Sequence, residues 1–185
     1  MLKEILFALW FFLPAGMANM TPIPIAKVPG LRKFDAPIDG GLHFRGKRVL
    51  GSHKTWRGLV VGLLAATFTL WLQQLAVAHF GWAQTLTTQV DYGALPTLIL
   101  GPLFAVGALG GDAIESFFKR QRGVQPGHGW FPFDQTDYII GGALAASPFV
   151  HLTFLQYVWL LVLWLCVHMV ASYIGYLLGF KERPI

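Results

Sequence analysis

The chain has 185 residues, of which 55% are hydrophobic, 15% aromatic and only 12% charged, and its net charge is +5. A water-soluble domain of this length needs more polar surface to cover its core, so the composition excludes an ordinary soluble fold and points to side chains that face lipid. In such a chain the positive charge reads as a cytoplasmic-side bias and a place for anionic ligands, not as a nucleic-acid surface, and the single cysteine, Cys166, leaves no intrachain disulfide.

The length accommodates one domain, residues 1–185, with little room for a second. A span needs about 20 mainly apolar residues. Ile5 to Met20 is a short candidate, carrying Pro14 and Asn19 with Pro22 just beyond; it is either a span or a helix that enters partway and unwinds. Its Lys3, short apolar run and small residues Ala15 and Ala18 also mimic a signal peptide. Charge argues against cleavage, because five spans put the Lys/Arg clusters at 27–57, 119–122 and 181–183 on one side of the membrane. Thr21 to Arg57 follows, rich in Pro, Gly and basic residues, with no helical or strand period and too polar to span. Leu59 to Phe80 is the second predicted span and Gly93 to Gly111 the third. The uncharged stretch from Tyr138 to Phe180 is too long for one crossing, and Ser147-Pro148 divides it into spans of about Asp134 to Val150 and Leu152 to Gly179. The expected fold class is therefore all-α, an integral membrane bundle of about five transmembrane helices with a long cytoplasmic loop between the first two.

Polar residues collect at three places. In the first loop, Asp39-Gly40-Gly41 and Gly46-Lys47-Arg48 precede Gly51-Ser52-His53-Lys54-Thr55-Trp56-Arg57-Gly58. The Lys-Thr pair has the chemistry of a phosphate site but not the glycine spacing of a P-loop, and cations entering a span also serve as membrane anchors. At the end of the third span, Asp112, Ser116 and Lys119 follow i, i+4, i+7 and share a face if the helix continues, with Glu115 beside them. An acid on an apolar helix is costly and usually functional; a helix end with Lys119 and Arg120 snorkelling into water is the plainer reading. Pro126-Gly127-His128-Gly129 then forms a turn whose glycines let backbone N–H groups approach an anion, before Asp134-Gln135-Thr136-Asp137 opens the fourth span. One aspartate there caps a helix, but two, with Asp112, make an oxygen set suited to magnesium sharing its shell with substrate phosphates. His79, His151 and His168 show no shared spacing and read as structural.

The ordered set Ser116-x-x-Lys119-Arg120, Pro126-Gly127-His128-Gly129 and Asp134-x-x-Asp137 resembles the signature of the CTP-dependent cytidylyltransferases that make CDP-activated lipids, the CDP-diacylglycerol synthase superfamily. Two departures stand out: the Lys-Asp pair that bacterial and eukaryotic members carry between Lys-Arg and Pro-Gly is absent, and Gln135 replaces an arginine. Both are similar to the archaeal branch, the CDP-archaeol synthases, as are Pro14, Asn19, Pro22, Pro37-x-Asp39-x-Gly41, Gly46-Lys47, Gly51 and Lys54-Thr55-x-x-Gly58. The resemblance implies transfer of CMP from CTP to the phosphate of 2,3-bis-O-geranylgeranylglycerol 1-phosphate at a cytoplasm-facing site in the cell membrane. It implies Asp112, Asp134 and Asp137 as magnesium ligands. Lys54, Arg57, Lys119 and Arg120 would contact phosphates, helped by His128, Gly127 and Gly129, with Asn19, Asp39, Lys47, Thr55 and Ser116 around the substrate. Phosphatidic acid or another lipid phosphate is an alternative acceptor. A small anion transporter is the alternative of a different class, disfavoured because the charges cluster at helix ends on one side. The sequence does not bear on the oligomeric state.

Overall fold

The computed structural model describes residues 1–124 and 128–180. The first apolar segment folds as two helices, α1 (Leu2–Phe11) and α2 (Leu13–Met20), and the run from Leu13 to Ile25 is bent by 45° from α1. Pro14 accounts for the break: it has no N–H to offer the Trp10 carbonyl four residues back, and its ring crowds that carbonyl. Gln73, buried on a neighbouring helix, donates to the Trp10 oxygen instead at 2.5 Å, and Trp164 Nε1 donates to the Ala8 oxygen at 3.1 Å. A short helix α3 (Pro22–Ile25) follows.

The long loop is more ordered than its lack of periodicity suggests. It contains a 3-10 turn over Pro29–Phe34 and a hairpin of β1 (His43–Phe44) and β2 (Lys47–Arg48), paired His43 to Arg48 and Phe44 to Lys47. Arg45 (φ 52°) and Gly46 (φ 76°) both take left-handed backbone, as a two-residue hairpin turn requires. Asp39 ties the hairpin to the chain before it. Its carboxylate accepts from the Gly41 and Leu50 amides at 3.0 and 2.9 Å and from Arg48 at 3.1 Å. Burial alone would push the Asp39 carboxyl up, but Arg48 and the two amides outweigh it and hold it at about 2. The loop then returns beside itself, Ile38 N–H to Lys54 O at 2.8 Å and Trp56 N–H to Ala36 O at 3.0 Å. These bonds deliver Lys54 and Thr55 to the start of the next helix, which Thr55 caps by accepting from the Gly58 amide.

Helices α4 (Trp56–His79), α6 (Thr97–Gln121) and α8 (Phe154–Leu177) have 24, 25 and 24 residues. At 1.5 Å per residue each is about 36 Å long, enough to cross a hydrocarbon core of about 30 Å. Among the described residues, three helices are thus long and apolar enough to span, or four if the bent α1–α3 run counts as one. Between them lie α5 (Gly81–Leu86) and α7 (Phe133–Ala146). Helix α7 has 14 residues, about 21 Å, and stops where Ser147 precedes Pro148.

An aromatic core joins the bundle. Phe12 sits against Phe104, Tyr138 and Trp164, with ring centroids at 6.2, 6.1 and 5.4 Å. Outside it, large apolar side chains such as Leu64, Leu98, Leu144 and Phe154 are exposed, an arrangement that is unfavourable in water and ordinary in lipid.

Candidate active site

The site forms where α6, over residues 107–119, runs against the N-terminal part of α7, residues 134–141. The approach depends on glycines. A Cβ on Gly107 would meet the Gly141 carbonyl, and one on Gly111 would meet the Asp137 backbone, so only small residues allow this crossing. The close approach brings the acids of the two helices together. Asp112 and Glu115 from α6 and Asp137 from α7 each offer an oxygen, and these atoms lie within 4.8 Å of one another.

Two lysines enter the same cluster. Lys54, delivered by the loop, is hydrogen-bonded to Asp112. Lys119 binds both oxygens of Asp134, at 2.7 and 2.9 Å, and lies 3.7 Å from Glu115. Asp134 also accepts the Trp130 amide at 2.7 Å, so its oxygens are engaged at the helix start. Asp137 accepts from the Tyr138 amide through Oδ1, while its Oδ2 is buried without a hydrogen-bond partner; the same holds for Glu115 Oε1. Orphaned acid oxygens beside lysines fit a divalent cation with a preference for oxygen donors.

A cavity of about 500 Å³ opens beside this cluster. Of the residues singled out from the sequence, Asn19, Lys54, Thr55, Arg57, Asp112, Ser116, Lys119 and Asp134 line it. Arg57 is only 7% exposed and is already engaged, with Asp35 at 2.8 Å and the Leu31 carbonyl at 3.2 Å, so it also pins the loop across the cavity. Asp39 and Lys47 are not among the residues that line this cavity. Asp39 orders the hairpin, and Lys47 donates to the Gln121 carbonyl at 2.6 Å, fixing the hairpin to the end of α6. Arg120 is half-buried at that same helix end, away from the cavity lining. His128 and Gly129 are exposed; Gly127 and Pro126 lie outside the described residues.

The structure adds residues to the wall. Gln135, 3% exposed, has a buried amide oxygen without a hydrogen-bond partner, and His168 and Ser172 of α8 also line the cavity. The last two had a usable signal: they stand four apart, on one face of an otherwise apolar helix. Glu115, which the spacing set beside Asp112, Ser116 and Lys119 without giving it a role, lines the cavity too.

Comparison with known proteins identifies the family. The CarS-like family model, described as CDP-archaeol synthase, matches residues 1–185. The CDP-archaeol synthase of Thermococcus onnurineus is 36% identical over 185 residues, covering 99% of this chain and 98% of the relative. That of Methanosphaerula palustris is 39% identical over 158 residues, covering 80% and 89%. A solved structure described as an intramembrane enzyme for archaeal membrane lipids biosynthesis superposes with a TM-score of 0.67 at 28% identity, over 89% of this chain and 92% of the other. Matched along its whole length by the family and built of apolar helices around an acid-and-lysine cavity, the chain is a multi-pass membrane enzyme of the CDP-archaeol synthase family.

Proposed function

We propose that this enzyme transfers CMP from CTP to the phosphate of 2,3-bis-O-geranylgeranylglycerol 1-phosphate. A lipid phosphate oxygen attacks the α-phosphorus of CTP; the bond from that phosphorus to the β-phosphate bridging oxygen breaks, and pyrophosphate leaves with the electron pair. The acceptor is already an anion, so no strong base is needed. What the protein must do is hold two anions in line and offset the charge that grows on the α-phosphate and the leaving group.

The observation that carries this reading is the meeting of Lys54 and Lys119 with the acids of α6 and α7 beside one cavity. Both lysines are held in place by carboxylates, so they are positioned before substrate arrives and can turn their remaining protons to phosphate oxygens. Arg57, Thr55, Asn19 and Ser116 complete the polar wall, while Asp39 and Lys47 keep the loop in register. Arg120, His128 and Gly129 would guide the triphosphate as it enters. Asp112 and Asp137, with Asp134 close by, would hold magnesium, which neutralises phosphate charge when bound.

In this reading residues 1–185 form one domain with five crossings. The bent α1–α3 run and the short α7 complete the set, and the basic clusters, with the cavity, face the cytoplasm. The lipid head then lies at the membrane face and CTP arrives from solution. The test is to incubate membranes carrying the enzyme with CTP and either the geranylgeranyl ether phosphate or phosphatidic acid, and to follow the CDP-lipid. Product from the ether phosphate is expected. Product from phosphatidic acid alone would reassign the acceptor, and no CDP-lipid from either would refute the transfer.

A further inference from the structure

We propose that Glu115, which lies outside the signature residues, is a direct ligand of the divalent cation, in the role the spacing suggests for Asp134. This assignment rests on the metal-dependent reading above. Charge and contact both lead to it. Where α6 meets α7, four carboxylates (Asp112, Glu115, Asp134 and Asp137) face two lysines, Lys54 and Lys119. Each lysine has a preferred partner, Asp112 for Lys54 and Asp134 for Lys119, and the two acids left over match the charge of one divalent cation.

The leftover pair is also the pair with vacant oxygens. Glu115 is 7% exposed, and its Oε1 is buried with no hydrogen-bond partner. Its polar neighbours are Lys119, at 3.7 Å, and the carboxyl of Asp134, which shares a side-chain hydrogen bond with it and repels it when both are ionised. Asp137 Oδ2 is orphaned in the same way. Asp134, by contrast, has Lys119 on both oxygens and the Trp130 amide on one. A buried carboxyl oxygen without a donor is costly when the acid is ionised, and a cation at this point would complete both orphaned oxygens. Glu115 stands one helical turn from Asp112, so the two carboxylates and Asp137 approach one point from two helices. Asp134 becomes a positioning residue that holds Lys119 toward the cavity.

Glu115→Asp and Glu115→Gln separate coordination from field. The aspartate keeps the charge but is one methylene too short to reach, whereas the glutamine keeps the length and loses the charge. Mn²⁺ is titrated by electron paramagnetic resonance into the detergent-solubilised, full-length protein without nucleotide. The inner-sphere waters of bound Tb³⁺ are counted from its luminescence lifetime in H₂O and D₂O. Both variants should weaken Mn²⁺ binding by about tenfold or more, a loss that supporting groups alone can cause, and Glu115→Asp should gain an inner-sphere water. Wild-type binding in both variants overturns the assignment and leaves the metal-dependent reading standing. A loss confined to Glu115→Gln, with no added water in Glu115→Asp, reduces Glu115 to a source of field and also overturns it. Absence of Mn²⁺ binding by the wild type overturns this assignment together with the metal reading.

Discussion

Gly111→Ala tests whether the spacing of α6 and α7 sets the geometry of the site. A methyl group there would stand 2.9 Å from the Asp137 carbonyl carbon and closer still to its oxygen. Both atoms are backbone, so no side chain can rotate away, and the helices must part by about 1 Å to restore ordinary contact. Overpacking of this kind costs about 1–3 kcal/mol. Replacing glycine inside a helix returns about 1 kcal/mol, so the net loss of stability is about 0–2 kcal/mol, a fall in melting temperature of at most about 8 °C for a chain of this size. Catalysis does not share in that compensation. Asp112 follows Gly111 directly, Asp137 is the residue pushed away, and a misplacement of about 1 Å lowers rates by about 100-fold. Gly110→Ala is the control, because nothing lies within 4 Å of its new methyl group. CDP-lipid formation and thermal unfolding, measured on both variants in detergent, decide the matter. Equal activity in Gly111→Ala and Gly110→Ala would refute the idea that this crossing distance positions the acids.

Further outcomes follow from the same geometry. Asp134→Asn and Asp137→Asn should each abolish CTP turnover while the protein still fractionates with membranes; near-normal turnover in both would remove the acidic site from the mechanism. Lys119→Met leaves Asp134 and Glu115 without their cation, and kcat for CDP-lipid formation should fall by about 10²–10³, the usual effect of losing one charge-stabilising donor. Asp39→Asn should loosen the hairpin, read as faster tryptic cleavage at Lys47 and Arg48, because three neighbouring donors lose their charged acceptor. The Asp39 carboxyl should titrate near 2 by ¹³C NMR and not near 3.8. Because its folded value lies below its ordinary one, its stabilisation is complete above that ordinary value and is lost as pH falls through the folded one.

The site was partly legible as a list and hardly at all as a set of contacts. The spacing of Asp112, Ser116 and Lys119 placed them on one face, and α6 does continue as a helix through them. Lys54 and Thr55 stood out by residue type and line the cavity. Asp39 and Lys47 were singled out as residues around the substrate, yet each is used to brace the loop, Asp39 on Arg48 and backbone amides, Lys47 on the end of α6. Sequence separation hides such partners: Lys47 and Gln121 are 74 positions apart. The loop itself showed no period because its order comes from a two-residue turn, one buried carboxylate and a few backbone bonds, none of which repeats.

What the sequence determined alone is the solvent and the chemistry. A chain so poor in charge can cover its apolar surface only with lipid, and its acids, lysines and glycines, in their order, already identify the family. The tertiary structure decided which acids share a centre and which are spent on lysines. That depends on how closely two helices cross, and the crossing is set by which glycines face each other across α6 and α7, a relation between distant residues that no local pattern encodes.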